Sequence, residues 1–309
     1  MIKNSFIVFV CSALVLSGCG GSLGNGQKSG AGSKKPAPEE VRPIAADAEV
    51  LFIGNSVTNG YREPVLHYKA SVSDLYGTSL TGIPGVFKKI AEEAGYPNVK
   101  VSIMSVNGRS LTEHYRDHAA LFKDKNWDVV ILQDLLARPL PNEMGGNIEG
   151  MKTAVSDMNN AVLAKNDSAR IVLYETFAGP RDVPDKGATI RVVQDYILRS
   201  TKALALNQKL AGWAPVGEAF WEAIEEGIGW DHTDSTKPSS MVDLYYTDGY
   251  HPSKYGSYLA ACVFYGYLFA ADPRDLPSGS GSVAESLEIS STVAEKLHKA
   301  AYFAILNNK

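Results

Sequence analysis

Short apolar runs alternate with helical stripes along most of this chain. The runs are Glu49–Ile53, Val99–Val106, Trp127–Gln133, Ala169–Glu175 and Ala211–Val216. The clearest is Val129-Val130-Ile131-Leu132, which has no polar position to give to water and so predicts a strand buried on both faces. Between the runs, apolar residues recur at about 3.6-residue spacing, the signature of a helix with one buried face. These stripes predict helices near Ile83–Gly95, Leu111–Phe122, Asn147–Ala164, Ala188–Leu206 and Gly217–Glu226, with a further helix beginning near Ser253. Strand and helix in turn argue for an α/β fold with a parallel sheet covered on both faces. A Gly/Ser loop at Pro277–Ser282 then leads to Ser290–Leu306, where Val293, Leu297, Ala300, Ala301, Ala304 and Ile305 form an apolar stripe expected to pack against the domain. No internal repeat is evident, and one domain is expected over residues 47–309.

The N-terminus breaks this pattern. Lys3 supplies positive charge, and Phe6–Leu16 is an apolar run well short of the roughly 20 residues that span a bilayer. It ends in Leu16-Ser17-Gly18-Cys19, which resembles the lipobox of bacterial lipoproteins. That resemblance implies cleavage after residue 18 and a lipid anchor on Cys19, placing the protein in a bacterial cell envelope. Gly20 is not the aspartate associated with inner-membrane retention, so an outer-membrane anchor fits. Residues 19–46 are rich in Gly, Ser, Lys, Pro and Ala and read as a flexible tether. Gly20-Gly21-Ser22-Leu23-Gly24 matches the nucleophile-elbow pattern, but neither strand nor helix flanks it.

Composition narrows the class. The chain has 309 residues, 45% of them hydrophobic, enough for a sizeable core, and a net charge of −4 that gives no electrostatic case for nucleic acid. Of the 3 cysteines, Cys11 leaves with the signal and Cys19 takes the lipid, so no intrachain disulfide is expected. Cys262 lies in an apolar helical stretch and reads as a buried structural thiol.

Two motifs carry the chemistry. Val50-Leu51-Phe52-Ile53-Gly54-Asn55-Ser56 is a buried strand that breaks at glycine and presents a serine. Tyr246-Thr247-Asp248-Gly249-Tyr250-His251-Pro252-Ser253 sets an aspartate three residues before a histidine, ahead of an apolar helix. Taken singly, Ser56 reads as a helix N-cap and the Asp/His segment as turn chemistry. Together they supply a nucleophile, a base and an orienting carboxylate: Ser56, His251 and Asp248.

On these motifs the stretch from about Val50 to Leu268 resembles the SGNH (GDSL-like) hydrolases. Gly54-Asn55-Ser56 stands where that superfamily has Gly-Asp-Ser, and Asp248-Gly249-Tyr250-His251-Pro252 matches its Asp-x-x-His-Pro element. The resemblance implies a flavodoxin-like three-layer α/β/α sandwich, a Ser56–His251–Asp248 triad, and oxyanion donors at the Ser56 N–H, Gly108 and a side chain after the third strand. There the family usually carries an asparagine in Gly-x-Asn-Asp, whereas this chain has Leu132-Gln133-Asp134, so Gln133 takes the expected role. No cofactor is implied.

His114 and His118, four apart, could share a metal, but no third ligand is apparent and a solvated or substrate-facing helix is the expectation. Asp231, His232 and Asp234 read as a solvated loop. Tyr61, Arg62, Arg109 and Arg138 are within reach of a pocket mouth or pack on the surface. The leading expectation is an envelope-anchored serine esterase acting on a short-acyl ester, with acylated carbohydrate as the favoured class. The alternatives are a catalytically silent glycan-binding module and an acyltransferase using the same triad.

Overall fold

The computed structural model describes residues 42–181, 183 and 188–308. The signal segment, Cys19 and nearly all of the tether lie outside the described residues. The elements are β1 (Glu49–Gly54), β2 (Val72–Asp74), α1 (Gly82–Glu93), β3 (Lys100–Ser105), α2 (Leu111–His118), β4 (Val129–Leu132), α3 (Ile148–Leu163), β5 (Arg170–Glu175), α4 (Ile190–Asn207), β6 (Gly212–Pro215), α5 (Val216–Glu225), α6 (Lys254–Phe269), α7 (Val283–Ser286) and α8 (Ser291–Asn307).

The strands form one sheet in the order β2-β3-β1-β4-β5-β6, and every pairing is parallel. Without edge strand β2, the order is that of a flavodoxin-like sheet, whose order reverses between β1 and β4. The sequence reading has no counterpart for β2. Three residues are too few to show a period, Ser73 is exposed between half-buried Val72 and Asp74, and the Asp74 carboxylate spends itself on the N–H groups of Tyr76, Thr78 and Leu80.

Alternation along each strand builds the three layers. Val50, Phe52, Val129 and Ile131 point into one core, which α1, α5, α6 and α8 cover. Leu51, Ile53, Val130 and Leu132 point into the other, beneath α2 and α3. Each of these side chains is fully buried, a contribution of roughly 1.5–3 kcal/mol apiece on the area scale. Helix α6 is apolar nearly all round because α1, α5 and α8 pack about it, as a helix with no polar stripe requires. Its start is fixed by Ser253, whose hydroxyl accepts the N–H groups of Tyr255 and Gly256. Cys262 lies inside α6, and burial pushes its thiol far above the ordinary range, so it is unreactive there.

The chain enters this unit at the amino-terminal edge of the sheet. Ile44 is buried and its N–H donates to the Leu268 carbonyl at 2.9 Å, while Arg170, the first residue of β5, donates to the Arg42 carbonyl at 2.6 Å. The carboxyl ends of the strands, where open α/β sheets bind ligands, are therefore at the opposite edge. Among the described residues no helix is long and apolar enough to cross a membrane.

Candidate active site

Ser56 follows β1, and Gln133 follows β4, so both stand at the reversal point of the sheet. Side-chain amides help to hold the turn after β1. The Asn55 N–H donates to Gln133 Oε1 at 2.9 Å, and the Thr58 hydroxyl donates to the same oxygen at 2.9 Å. A backbone N–H can only donate, so the atom facing Asn55 is the amide oxygen. The Gln133 amide nitrogen donates to the Asp134 carbonyl, which leaves one of its two N–H groups without a protein partner among the described residues. Gln133 thus ties the Ser56 loop to the end of β4. Gly54 permits this: a side chain there would collide with the Thr58 hydroxyl and the Gln133 oxygen.

Asn55 has a physical role that an aspartate could not fill. Its Nδ2 donates to the Arg109 carbonyl at 3.3 Å while its Oδ1 accepts the Val57 N–H at 3.2 Å. A carboxylate would set an oxygen against the Arg109 carbonyl. Next along, Asn59 Nδ2 donates to Asn107 Oδ1 at 2.8 Å, binding the loop after β1 to the loop after β3. Gly108 follows Asn107 with φ +72°, in open space. Neither the Ser56 N–H nor the Gly108 N–H donates to a protein group among the described residues.

The second motif arrives on the turn before α6. Tyr245 and Pro252 pair across it, the Tyr246 N–H donates to the His251 carbonyl at 2.7 Å, and the Tyr245 hydroxyl donates to the Ala178 carbonyl at 2.9 Å. This brings Ser56, His251 and Asp248 into one line of hydrogen bonds. His251 Nε2 is 2.9 Å from Ser56 Oγ, and His251 Nδ1 is 2.7 Å from Asp248 Oδ2. The other carboxylate oxygen of Asp248 accepts the N–H groups of Tyr250 and His251 at 2.9 and 3.0 Å. Burial alone would raise the Asp248 pKa, but the His251 ring bond and the two backbone bonds outweigh it and hold the carboxyl below its ordinary range. An ionised Asp248 can only accept, so the proton sits on Nδ1, and Nε2 presents its lone pair to the Ser56 hydroxyl. Ser56 is nearly buried, at 6% exposed.

His114 departs from expectation. It is 0% exposed, neither solvated nor facing a substrate. Its Nε2 donates to the Gly54 carbonyl at 2.8 Å, which leaves Nδ1 to accept the Tyr76 hydroxyl at 2.8 Å. Burial lowers its pKa to about 4, so it stays neutral and pins α2 beneath the end of β1. His118 meets Tyr76 edge-on, and no group of three or more metal-ligating side chains occurs among the described residues. In the other polar cluster, His232 stacks on Trp230 and bonds Asp243 at 3.0 Å, while Asp231 holds Thr233; Asp234 is exposed.

Of the four residues that could reach a mouth but are expected rather to pack or pair on the surface, two stand at His251 or next to it. Tyr61 stacks on His251, and the Arg62 guanidinium lies 4.3 Å from the Tyr61 ring centroid and 5.6 Å from that of Tyr246. Arg109 instead pairs with Asp117 at 3.6 Å, and Arg138 is half-buried beyond β4. The roles of Asn59, Asn107 and His114 leave no trace in the local pattern, because each depends on a partner from another segment.

Gln133→Ala would leave the Asn55 N–H and Thr58 hydroxyl buried without an acceptor. The expected loss in unfolding free energy is about 2–4 kcal/mol, read by chemical denaturation. An unchanged midpoint would show that the amide does not anchor this loop.

No family model matches this chain, and no curated protein matches it. Solved structures do share its shape. A DUF4886 family protein from Bacteroides uniformis superposes with a TM-score of 0.60 at 17% identity, covering 85% of this chain and 96% of that one. A catalytic mutant of an acetylxylan esterase from Geobacillus stearothermophilus gives 0.48 at 17% identity, over 73% of this chain and 95% of that one. A candidate SGNH hydrolase from Slackia heliotrinireducens gives 0.47 at 19% identity, over 72% and 98%. The likeness to the Bacteroides uniformis protein is one of fold alone, and the fold here is an α/β/α sandwich about a parallel six-stranded sheet. At such identities the chemistry has to be argued from the residues themselves.

Proposed function

We propose that this SGNH-type domain is a serine esterase acting on a short-acyl ester, with acylated carbohydrate as the substrate class. The observation that carries the reading is the unbroken hydrogen-bond line from Ser56 Oγ through His251 to Asp248. Ser56 Oγ attacks the ester carbonyl carbon as its proton passes to His251 Nε2, and the carbonyl π pair moves onto oxygen. The tetrahedral intermediate collapses, the alcohol leaves with the proton from Nε2, and Ser56 holds the acyl group. Water then enters, gives its proton to Nε2 and its oxygen to the acyl carbon, and the acid leaves as Ser56 recovers its proton.

The oxyanion needs donors that no protein group already occupies. The unpartnered N–H groups of Ser56 and Gly108 meet that condition, as does the second N–H of the Gln133 amide. Tyr246, Tyr250 and Arg62 give the site a polar, aromatic rim, which suits a sugar-borne ester better than a long alkyl chain. The Leu16-Ser17-Gly18-Cys19 segment supports an envelope anchor through Cys19.

A fluorophosphonate probe tests the reading without knowledge of the substrate. The full-length protein is expected to gain one phosphonyl adduct, mapped by mass spectrometry to the peptide containing Ser56. Absence of the adduct, with the protein folded, would point to the silent binding module. Labelling together with acyl transfer to added alcohols would make the enzyme a transferase.

A further inference from the structure

Tyr61 is held at this site by contacts on its backbone and its ring, and no step above uses it. Its ring lies 3.6 Å from the His251 ring, centroid to centroid, at an interplanar angle of 7°. Its backbone sits at φ +60°, a left-handed conformation that costs any residue with a Cβ and persists only where surroundings enforce it. The surroundings here are specific. Asn59 Oδ1 accepts the Tyr61 N–H at 2.9 Å, and Asn59 is itself fixed to Asn107. The Arg62 guanidinium covers the Tyr61 ring and donates to the Tyr61 hydroxyl at 3.2 Å, and Tyr246 meets that ring edge-on. Strain at a site, enforced by a network of this kind, points to a use for the strained side chain.

We propose that Tyr61 is a positioning residue that sets the His251 ring for proton transfer and favours its charged form in the transition state. This rests on the esterase reading. His251 has a bond at each ring nitrogen, to Ser56 and to Asp248, but those two bonds lie in the ring plane and do not resist tilting about the line between them. The Tyr61 face supplies that resistance, and Tyr250, meeting the ring at 78°, bounds it further. When Nε2 takes the Ser56 proton the ring becomes a cation. It then lies between an ionised carboxylate and the electron-rich face of Tyr61, an arrangement that favours the cation more than the neutral ring. The other charges near by are Arg62, on the far side of Tyr61, and Arg181, over the Tyr250 ring. Tyr61 itself exchanges no proton and forms no bond.

The test compares wild type, Tyr61→Phe and Tyr61→Leu as full-length proteins on p-nitrophenyl acetate. Phenylalanine keeps the face and leucine keeps only the cover. Tyr61→Phe is expected to retain kcat within about twofold, and Tyr61→Leu to lose about tenfold in kcat with KM little changed. A raised KM with kcat intact in Tyr61→Leu would make Tyr61 a substrate contact and overturn the proposal. So would equal losses in both variants, which would move the role to the hydroxyl. Proton NMR of the His251 ring gives a readout independent of turnover. Ring-current shifts to high field are expected in wild type and Tyr61→Phe and absent in Tyr61→Leu. Unshifted His251 protons in wild type would overturn the stack itself. An inactive wild type with shifted protons would sink the esterase reading while leaving the stack in place.

Discussion

Ser56→Ala is expected to lower kcat on any ester substrate by about 10⁵–10⁶-fold, leaving the fold intact. The magnitude follows from what the hydroxyl does. Without it no acyl-enzyme can form, and only binding and oxyanion donors remain to assist direct attack by water. The fold survives because, among the described residues, the side chain of Ser56 bonds only to His251. His251 Nε2 then takes a water in place of the hydroxyl, and the thermal midpoint should move by no more than a degree or two. The check is kcat on p-nitrophenyl acetate beside a melting curve. Activity retained in a folded Ser56→Ala protein would remove Ser56 from the mechanism.

Asp248→Asn is expected to cost about 10⁴-fold in kcat, for a reason the hydrogen bonds spell out. Asp248 Oδ1 accepts two backbone N–H groups, from Tyr250 and His251. In the variant that atom must remain the amide oxygen, because a nitrogen there would face two donors. The amide NH₂ is then forced into the place of Oδ2, 2.7 Å from His251 Nδ1 in wild type. Facing a donor, Nδ1 must present its lone pair, and the ring proton moves to Nε2. The imidazole now donates towards Ser56 where it should accept, and the Ser56 proton has no base. Geometry and stability should change little, so the readout is kcat with an intact melting curve. A loss of tenfold or less would mean that the carboxylate does not fix the tautomer.

Much of this protein is legible in one dimension. Val129–Leu132 and Glu49–Ile53 announce themselves as strands because a strand buried on both faces has only apolar residues to offer. The helices fall within a few residues of their expected bounds because an amphipathic stripe is a local property; α3 spans Ile148–Leu163 and α8 spans Ser291–Asn307. Asp248 and His251 are legible for the same reason, being delivered by one turn. Edge strand β2 is not, since three residues with no buried position among them owe their conformation to pairing with β3. The burial of His114 is not either. Its spacing from His118 is identical whether α2 shows that face to water or to the end of β1.

The alternation of strands and helices, the serine at the end of the first strand, and the pairing of aspartate with histidine before α6 can all be read from the order of residues. Those are short-range properties, written in residues close together in the chain. What lies between distant segments comes from the folded arrangement. It set Ser56 against His251 across 195 positions of sequence. It turned Gln133 into an anchor for the Ser56 loop and made Asn55 a donor to Arg109. It also laid Tyr61 flat on the imidazole. Directional contacts of this kind depend on how loops from separate strands meet at one edge of the sheet, and no local pattern carries that information.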